Sequence, residues 1–296
     1  MSSYETKLRY RPPWQQTLYG YLALARVSNS PTVVSNVLAG AALAGATEPS
    51  GAVALLAVAL VLFYSAGMYL NDLCDYAVDC RERPERPLPS GTVSRAGATV
   101  GVVTLFAVGS LLLWSVGLAA FLSGLALIVL IVVYDAWHKS NPVSPLLMAG
   151  CRLMVYVTAF LAFSLQISSA LVIWSSLLAL YIIGLTYIAK TEASPHLTKY
   201  WPALVLFLPA IYVVVQIPAV SVLPLLLLFV TWVAYSVSLV YDRRKRSIGA
   251  AIGRLIAGIS LLDGLVLAVA GALPGVILAL LAVGLTLFLQ RYIKGT

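Results

Sequence analysis

The chain has 296 residues, of which 61% are hydrophobic and 10% charged, with a formal net charge of +8 and a mean hydropathy of +0.95. A soluble domain carries about 25% charged residues, so composition excludes a soluble enzyme and points to a polytopic α-helical membrane protein. The basic excess calls for no nucleic-acid partner, because membrane topology accounts for where it falls.

Residues 1–17 are polar, hold Lys7, Arg9, Arg11 and the Pro12-Pro13 pair, and read as a short cytoplasmic tail, with no cleaved signal peptide. From residue 18 to 296 the chain reads as one transmembrane domain. Crossing the hydrocarbon core takes about 20 apolar residues. Such runs lie near 27–46, 52–72, 97–117, 118–135, 144–164, 170–189, 200–217, 221–240, 248–270 and 273–292. With the N-terminus inside, all nineteen Lys and Arg residues fall on one side. The opposite loops, around 47–51, 116–118, 165–169, 216–221 and 271–275, hold none. This bias predicts cytoplasmic basic loops. Cys74, Cys80 and Cys151 lie on or near that side, where thiols stay reduced, and they predict neither a disulfide nor a zinc site.

The second apolar run leads directly into Asn71-Asp72-Leu73-Cys74-Asp75-Tyr76-Ala77-Val78-Asp79. At 100° per residue, Asn71, Asp75, Asp79 and Asp72 fall at about 0°, 40°, 80° and 100° of one helix face. Three carboxylates and an amide so close repel one another unless a cation is shared, and Mg²⁺ favours hard oxygen donors together with phosphate oxygens. Arg81, Arg83 and Arg86 follow, with Pro84, Pro87 and Pro89 stiffening the loop. Arginine is a bidentate phosphate binder. A solvated helix end with Asp–Arg pairs is the simpler alternative, but it leaves the single-face spacing unexplained.

Later segments supply further candidates. Tyr134 ends the fourth run, Lys139 follows it, and Arg152 lies early in the fifth, within apolar sequence, where a charge needs a partner. Asp135 divides evenly between a salt bridge and a site role, and His138 reads as interfacial. Lys190 and Glu192 follow the sixth run. Asn29, Thr32 and Asn36 share a face near the start of the first, suited either to helix–helix hydrogen bonds or to a substrate wall. Asp263 stands alone in the ninth run, as a functional candidate or the partner of a neighbouring helix. The run Arg243–Arg246 anchors topology beside anionic lipid.

The string Asn71-Asp72-x-x-Asp75-x-x-x-Asp79, followed by Arg83-Pro84-x-Arg86-Pro87-Leu88-Pro89-Ser90-Gly91, resembles the signature of the UbiA superfamily of intramembrane prenyltransferases. Tyr134 to Lys139 is similar to the family's second cytoplasmic element, and Arg26 to Thr32 with Glu192 looks like an EboC-like branch. The resemblance implies an all-α bundle of nine to ten transmembrane helices around a central cavity open to lipid, in a bacterial-type plasma (inner) membrane. It implies Mg²⁺-dependent transfer of a prenyl group from a prenyl diphosphate to a lipophilic, aromatic acceptor. Asn71, Asp72, Asp75 and Asp79 would be catalytic, with Asn71, Asp75, Asp79 and Glu192 as metal ligands. Arg83, Arg86, Tyr134, Lys139, Arg152, Lys190 and Asn29 would bind substrate. The family's second acidic motif, of DxxxD type, is reduced here to Glu192, the single acid of 186–192. The alternatives are a non-catalytic isoprenoid or lipid carrier, and an intramembrane terpene cyclase.

Overall fold

The computed structural model describes residues 13–138, 141–190, 200–216, 220–242, 246–293 and 295. Among them all regular structure is helical, as the apolar runs require, because a chain in lipid must satisfy its backbone hydrogen bonds internally. Among the described residues eight helices are long and apolar enough to cross a membrane, and the chain is an integral membrane protein.

The chain opens with α1 (Pro13–Leu24), a helix where the sequence suggests the last part of a polar tail. Its outer face exposes Trp14, Leu18, Tyr19 and Leu22. It stops at Arg26, whose φ of 45° makes it the one non-glycine residue with positive φ among those described. A 3₁₀ turn then leads into α2 (Ser30–Leu43). The expected span at 27–46 is therefore a 14-residue helix, shorter than lipid-facing spans need, but 12 of those residues are buried in protein.

The long helix α3 (Gly51–Glu82) has 32 residues, roughly 48 Å, against a hydrocarbon thickness of about 30 Å. Its last turns project beyond the apolar layer and carry the acidic motif. It ends before Pro84, whose ring disfavours helix in the preceding residue. The spans α4 (Arg95–Val116), α5 (Leu118–Trp137), α6 (Ser144–Leu161) and α7 (Ser169–Lys190) follow. The expected span at 200–217 is instead two short helices, α8 (Trp201–Val205) and α9 (Leu208–Gln216). Pro209 at the break lacks an amide hydrogen, which interrupts the ladder. The helices α10 (Leu223–Tyr241), α11 (Ile248–Val269) and α12 (Leu273–Gln290) complete the bundle.

Helices adjacent in sequence pack side by side, and α2 and α11 run through the middle: α2 touches α3, α6, α11 and α12, and α11 also reaches α7 and α10. The α2–α6 approach depends on Gly40, where an added Cβ would lie 2.6 Å from the Tyr156 carbonyl oxygen. Small residues of this kind let helix backbones meet in membranes. Outer faces are apolar and exposed, as at Val100, Leu111, Trp114, Leu281 and Phe288, which suits contact with lipid.

Candidate functional site

The acidic end of α3 presents the face that helical spacing predicts. Asn71, Asp72 and Asp79 are buried and Asp75 is half-buried, while Cys74, Ala77 and Cys80 point outward. The loop after α3 folds back beneath them. Backbone bonds from Arg86 N to Arg83 O, Ser90 N to Arg86 O and Val93 N to Pro87 O close its turns. Gly91 adopts φ 74°, a conformation cheap only for glycine. Leu88 and Val93 are buried as its anchors.

This reversal gives the arginines of the loop different fates. Arg86 Nη1 donates to Asp79 Oδ2 at 2.8 Å and lies 3.5 Å from Asp72 Oδ1, whereas Arg83 is exposed. Arg26, unassigned by sequence, reaches in from the α1–α2 turn. Its Nη2 donates to Asp72 Oδ1 at 3.0 Å and lies 3.5 Å from Asn71 Oδ1. Asp72 and Asp79 are thus charge-paired, one by the distant α1–α2 turn and the other by the loop that directly follows α3.

The end of α5 supplies the opposite wall. Asn71 Nδ2 donates to Asp135 Oδ1 at 3.1 Å, and Asp135 is 3% exposed. His138 Nδ1 lies 3.1 Å from the Asp135 carbonyl oxygen, and its Nε2 is 3.4 Å from Asp75 Oδ1. Tyr134 stacks on His138 with centroids 5.2 Å apart, and its hydroxyl meets Met148 Sδ at 3.8 Å. His138 therefore belongs to the site rather than to the interface alone. Two signals mark these residues in the sequence: an acid that ends an apolar span, and an arginine that opens one.

The remaining candidates spread over neighbouring elements. Arg152 donates to Thr32 Oγ1, and Tyr64 lies among Arg26, Arg152 and Asn29. Lys190 Nζ donates to Ser144 Oγ at 3.0 Å. Asn29 is turned to the far end of the chain, donating to the Gly295 carbonyl at 2.9 Å and accepting from Gln290 at 3.2 Å. Lys139 and Glu192 lie outside the described residues. Asp263 sits at the bundle centre, where Ser35 donates to it at 2.5 Å, Asn36 at 2.8 Å and Tyr156 at 2.5 Å. Helix–helix bonding, one of the two readings of Asp263, is thus present, and Thr32 joins this layer through its carbonyl, which accepts from Ser35.

The acidic face fits a divalent cation in donor chemistry, since carboxylate and carboxamide oxygens are the hard donors Mg²⁺ selects. A buried oxygen, Asp135 Oδ2, has no hydrogen-bond partner among the described residues. The carboxylates are not gathered around one point: among the described residues no three Asp, Glu, His or Cys side chains group to hold a metal ion. Arg26 and Arg86 stand between them, neutralising Asp72 and Asp79.

The family model described as the UbiA prenyltransferase family matches residues 33–252. A digeranylgeranylglyceryl phosphate synthase of Methanoregula boonei is 38% identical over 125 residues, covering 42% of this chain and 44% of that protein. Another, from Sulfolobus acidocaldarius, is 31% identical over 181 residues, covering 60% and 62%. The chain thus spans less than two thirds of the length of these relatives. In three dimensions it is similar to a UbiA homologue from Archaeoglobus fulgidus bound to GPP and Mg²⁺, with a TM-score of 0.64, 12% identity, and coverage of 87% of this chain and 99% of that one. A UbiA homologue from Aeropyrum pernix gives a TM-score of 0.63 at 18% identity, covering 83% and 96%.

Proposed function

Because this chain belongs to the UbiA prenyltransferase family, we propose that it transfers a prenyl group from a prenyl diphosphate to a lipophilic acceptor within the membrane. The observation that carries this reading is the buried face of Asn71, Asp72 and Asp79, with Asp75 beside them, ringed by Arg26, Arg86 and Asp135. Such a concentration of charge at a membrane protein's interior edge marks a site for a charged ligand. The Archaeoglobus homologue with GPP and Mg²⁺ supports the choice of ligand.

In this reading Asn71, Asp75, Asp79 and Glu192 would hold Mg²⁺, which would supply positive charge to the departing diphosphate. Arg26 and Arg86 exchange carboxylate partners for phosphate oxygens, which accept guanidinium bonds in the same forked geometry. Lys139, Lys190 and Arg152 add positive charge, and Tyr134 adds a hydroxyl donor. As the allylic carbon–oxygen bond breaks, its electron pair leaves with the diphosphate, and donors aimed at that oxygen lower the barrier. The allylic cation forms in an apolar bundle that excludes water. The nucleophilic atom of the acceptor bonds to it and releases a proton. The relatives' names favour a glyceryl phosphate lipid as acceptor over an aromatic one. The one-sided placement of Lys and Arg supports a site facing the cytoplasm of a bacterial-type plasma membrane.

The test uses the full chain in lipid vesicles with Mg²⁺, prenyl diphosphates of several lengths, and a panel of glycerophosphate-lipid and aromatic acceptors. Diphosphate release coupled to a prenylated product is expected, and it is lost in Asp75→Ala. Retention of the prenyl diphosphate without release would instead establish a carrier, and a cyclised hydrocarbon formed without acceptor would establish a cyclase.

A further inference from the structure

Asp263 and Asp135 are the two most deeply buried acids among the described residues, and their surroundings differ. Asp263 is 0% exposed, and both its oxygens accept hydrogen bonds from Ser35, Asn36 or Tyr156. Its lone pairs are occupied by protein donors from α2 and α6, and its role is to tie α11 to them. Asp135 is 3% exposed and is far less well served. Oδ1 takes one bond from the neutral amide of Asn71, and Oδ2 has no partner among the described residues. A buried carboxylate held by one neutral donor is costly unless a counter-charge completes it.

The neighbours of Asp135 identify that counter-charge. Asn71 and Asp75 are one turn apart on α3, and both are linked to the end of α5, Asn71 through Asp135 Oδ1 and Asp75 through His138. His138 in turn contacts the Asp135 carbonyl. These contacts tie Asn71, Asp75 and Asp135 together through α3 and the His138 imidazole, the kind of outer support that fixes cation ligands. The basic side chains of the site bond other carboxylates, Arg26 to Asp72 and Arg86 to Asp79, although Arg26 also lies 3.5 Å from Asn71 Oδ1 and must yield that oxygen to a cation.

We infer that Asp135 is itself a ligand of the divalent cation, completing with Asn71 and Asp75 a set that bridges α3 and α5. This rests on the reading of the site as a Mg²⁺ and prenyl diphosphate centre. It also answers a deficit in the sequence, where 186–192 offers a single acid, Glu192. A carboxylate from α5 restores part of the negative charge that one acid cannot supply, and it leaves coordination positions for water and phosphate oxygens, as Mg²⁺ prefers.

The probe is Mn²⁺ alone, titrated into the purified full chain and followed by the loss of its free-ion paramagnetic resonance signal. Asp135→Asn keeps an oxygen facing Asn71 but removes the charge, and it is expected to raise the Mn²⁺ dissociation constant at least tenfold. A carboxylate that only orients Asn71 through a hydrogen bond leaves that constant unchanged in Asp135→Asn, and this result overturns the inference. Asp135→Cys is the second variant. It is expected to shift preference from Mn²⁺ to Cd²⁺ at least tenfold relative to the wild type, with a new thiolate-to-cadmium absorption above the baseline of the native cysteines. Unchanged preference and no new absorption overturn the inference even if Asp135→Asn does not fold. If the wild type binds no Mn²⁺ at millimolar concentration, the metal reading of the site falls first and takes this assignment with it.

Discussion

The guanidinium of Arg26 and the carboxylate of Asp72 meet at 3.0 Å, joining the turn before α2 to the end of α3. Arg26 holds this contact from a left-handed backbone conformation, which costs a residue with a Cβ roughly 1–2 kcal/mol. Backbone and charge are separable by substitution. Arg26→Ala removes the charge and keeps the strain, whereas Arg26→Gly removes both. Each is expected to lose about 3–5 kcal/mol from the broken partly buried pair, with the glycine variant about 1 kcal/mol more stable than the alanine variant. Thermal unfolding in detergent measures the difference. In the transfer assay both raise KM for prenyl diphosphate by about tenfold or more, the scale of one charge-assisted contact, and Arg26→Lys recovers only part because it lacks the fork.

Asp263 holds its partners through short bonds from Ser35 and Tyr156 and a bidentate contact with Asn36. Its removal strands two buried donors, the Asn36 amide and the Tyr156 hydroxyl, while Ser35 keeps the Thr32 carbonyl and Ser260 as partners. Asp263→Ala is expected to destabilise the protein by about 3–5 kcal/mol, and Tyr156→Phe by about 1–3 kcal/mol. Because no hydrogen bond links these residues to the acidic face among the described residues, Tyr156→Phe is expected to leave KM for prenyl diphosphate within about twofold. A large rise in KM without loss of thermal stability would show that this layer serves the ligand rather than the fold.

The contrast between these layers shows how far the sequence could be read. The face of Asn71, Asp72, Asp75 and Asp79 was legible because its information is local: one helix, one period, one arc. The apolar runs were legible for the same reason. Arg26 was not, because its meaning depends on a left-handed turn and on a partner 46 residues away. Asp135 is 64 residues from Asn71, and periodicity cannot tell which acid at a helix end turns inward. Asn29 lies on the same predicted face as Thr32 and Asn36, yet its partners are 261 and 266 residues distant on the last helix and tail. The ten apolar runs differ from the eight long helices of the described residues only where burial replaces length, as in α2, and where Pro209 divides an apolar run.

Helix approach gives a prediction independent of chemistry. A Cβ at Gly40 would lie 2.6 Å from the Tyr156 carbonyl oxygen and 2.9 Å from Ala159 Cβ, so α2 and α6 must separate to admit it. Gly40→Ala is expected to cost about 1–3 kcal/mol. Gly284 on α12 has nothing within 4 Å of the same added atom, and Gly284→Ala is expected to be neutral or stabilising by up to about 1 kcal/mol. Midpoints of thermal unfolding for the two variants, measured side by side, check the pair. Equal midpoints would mean that the α2–α6 contact yields without cost.

Arg83 and Arg86 are equivalent by composition, both in the proline-rich loop that follows the acidic helix. The fold separates them. Arg86 turns beneath α3 and bonds Asp79 at 2.8 Å, while Arg83 is exposed at the helix end. Exposed charges contribute about 0–1 kcal/mol, so Arg83→Ala is expected to change unfolding and KM for prenyl diphosphate by no more than about twofold. Arg86→Ala leaves Asp79 buried without its counter-charge, a loss of about 3–5 kcal/mol, and it removes one phosphate donor from the site. A double-mutant cycle with Asp79→Asn isolates the first effect, since neutralising Asp79 should recover at least about 1 kcal/mol of the stability lost in Arg86→Ala. The rise in KM should persist in the double variant, because neutralising Asp79 restores neither the lost phosphate contact nor the metal-ligand charge removed with it. Recovery of KM together with stability would mean that Arg86 serves only to hold the loop.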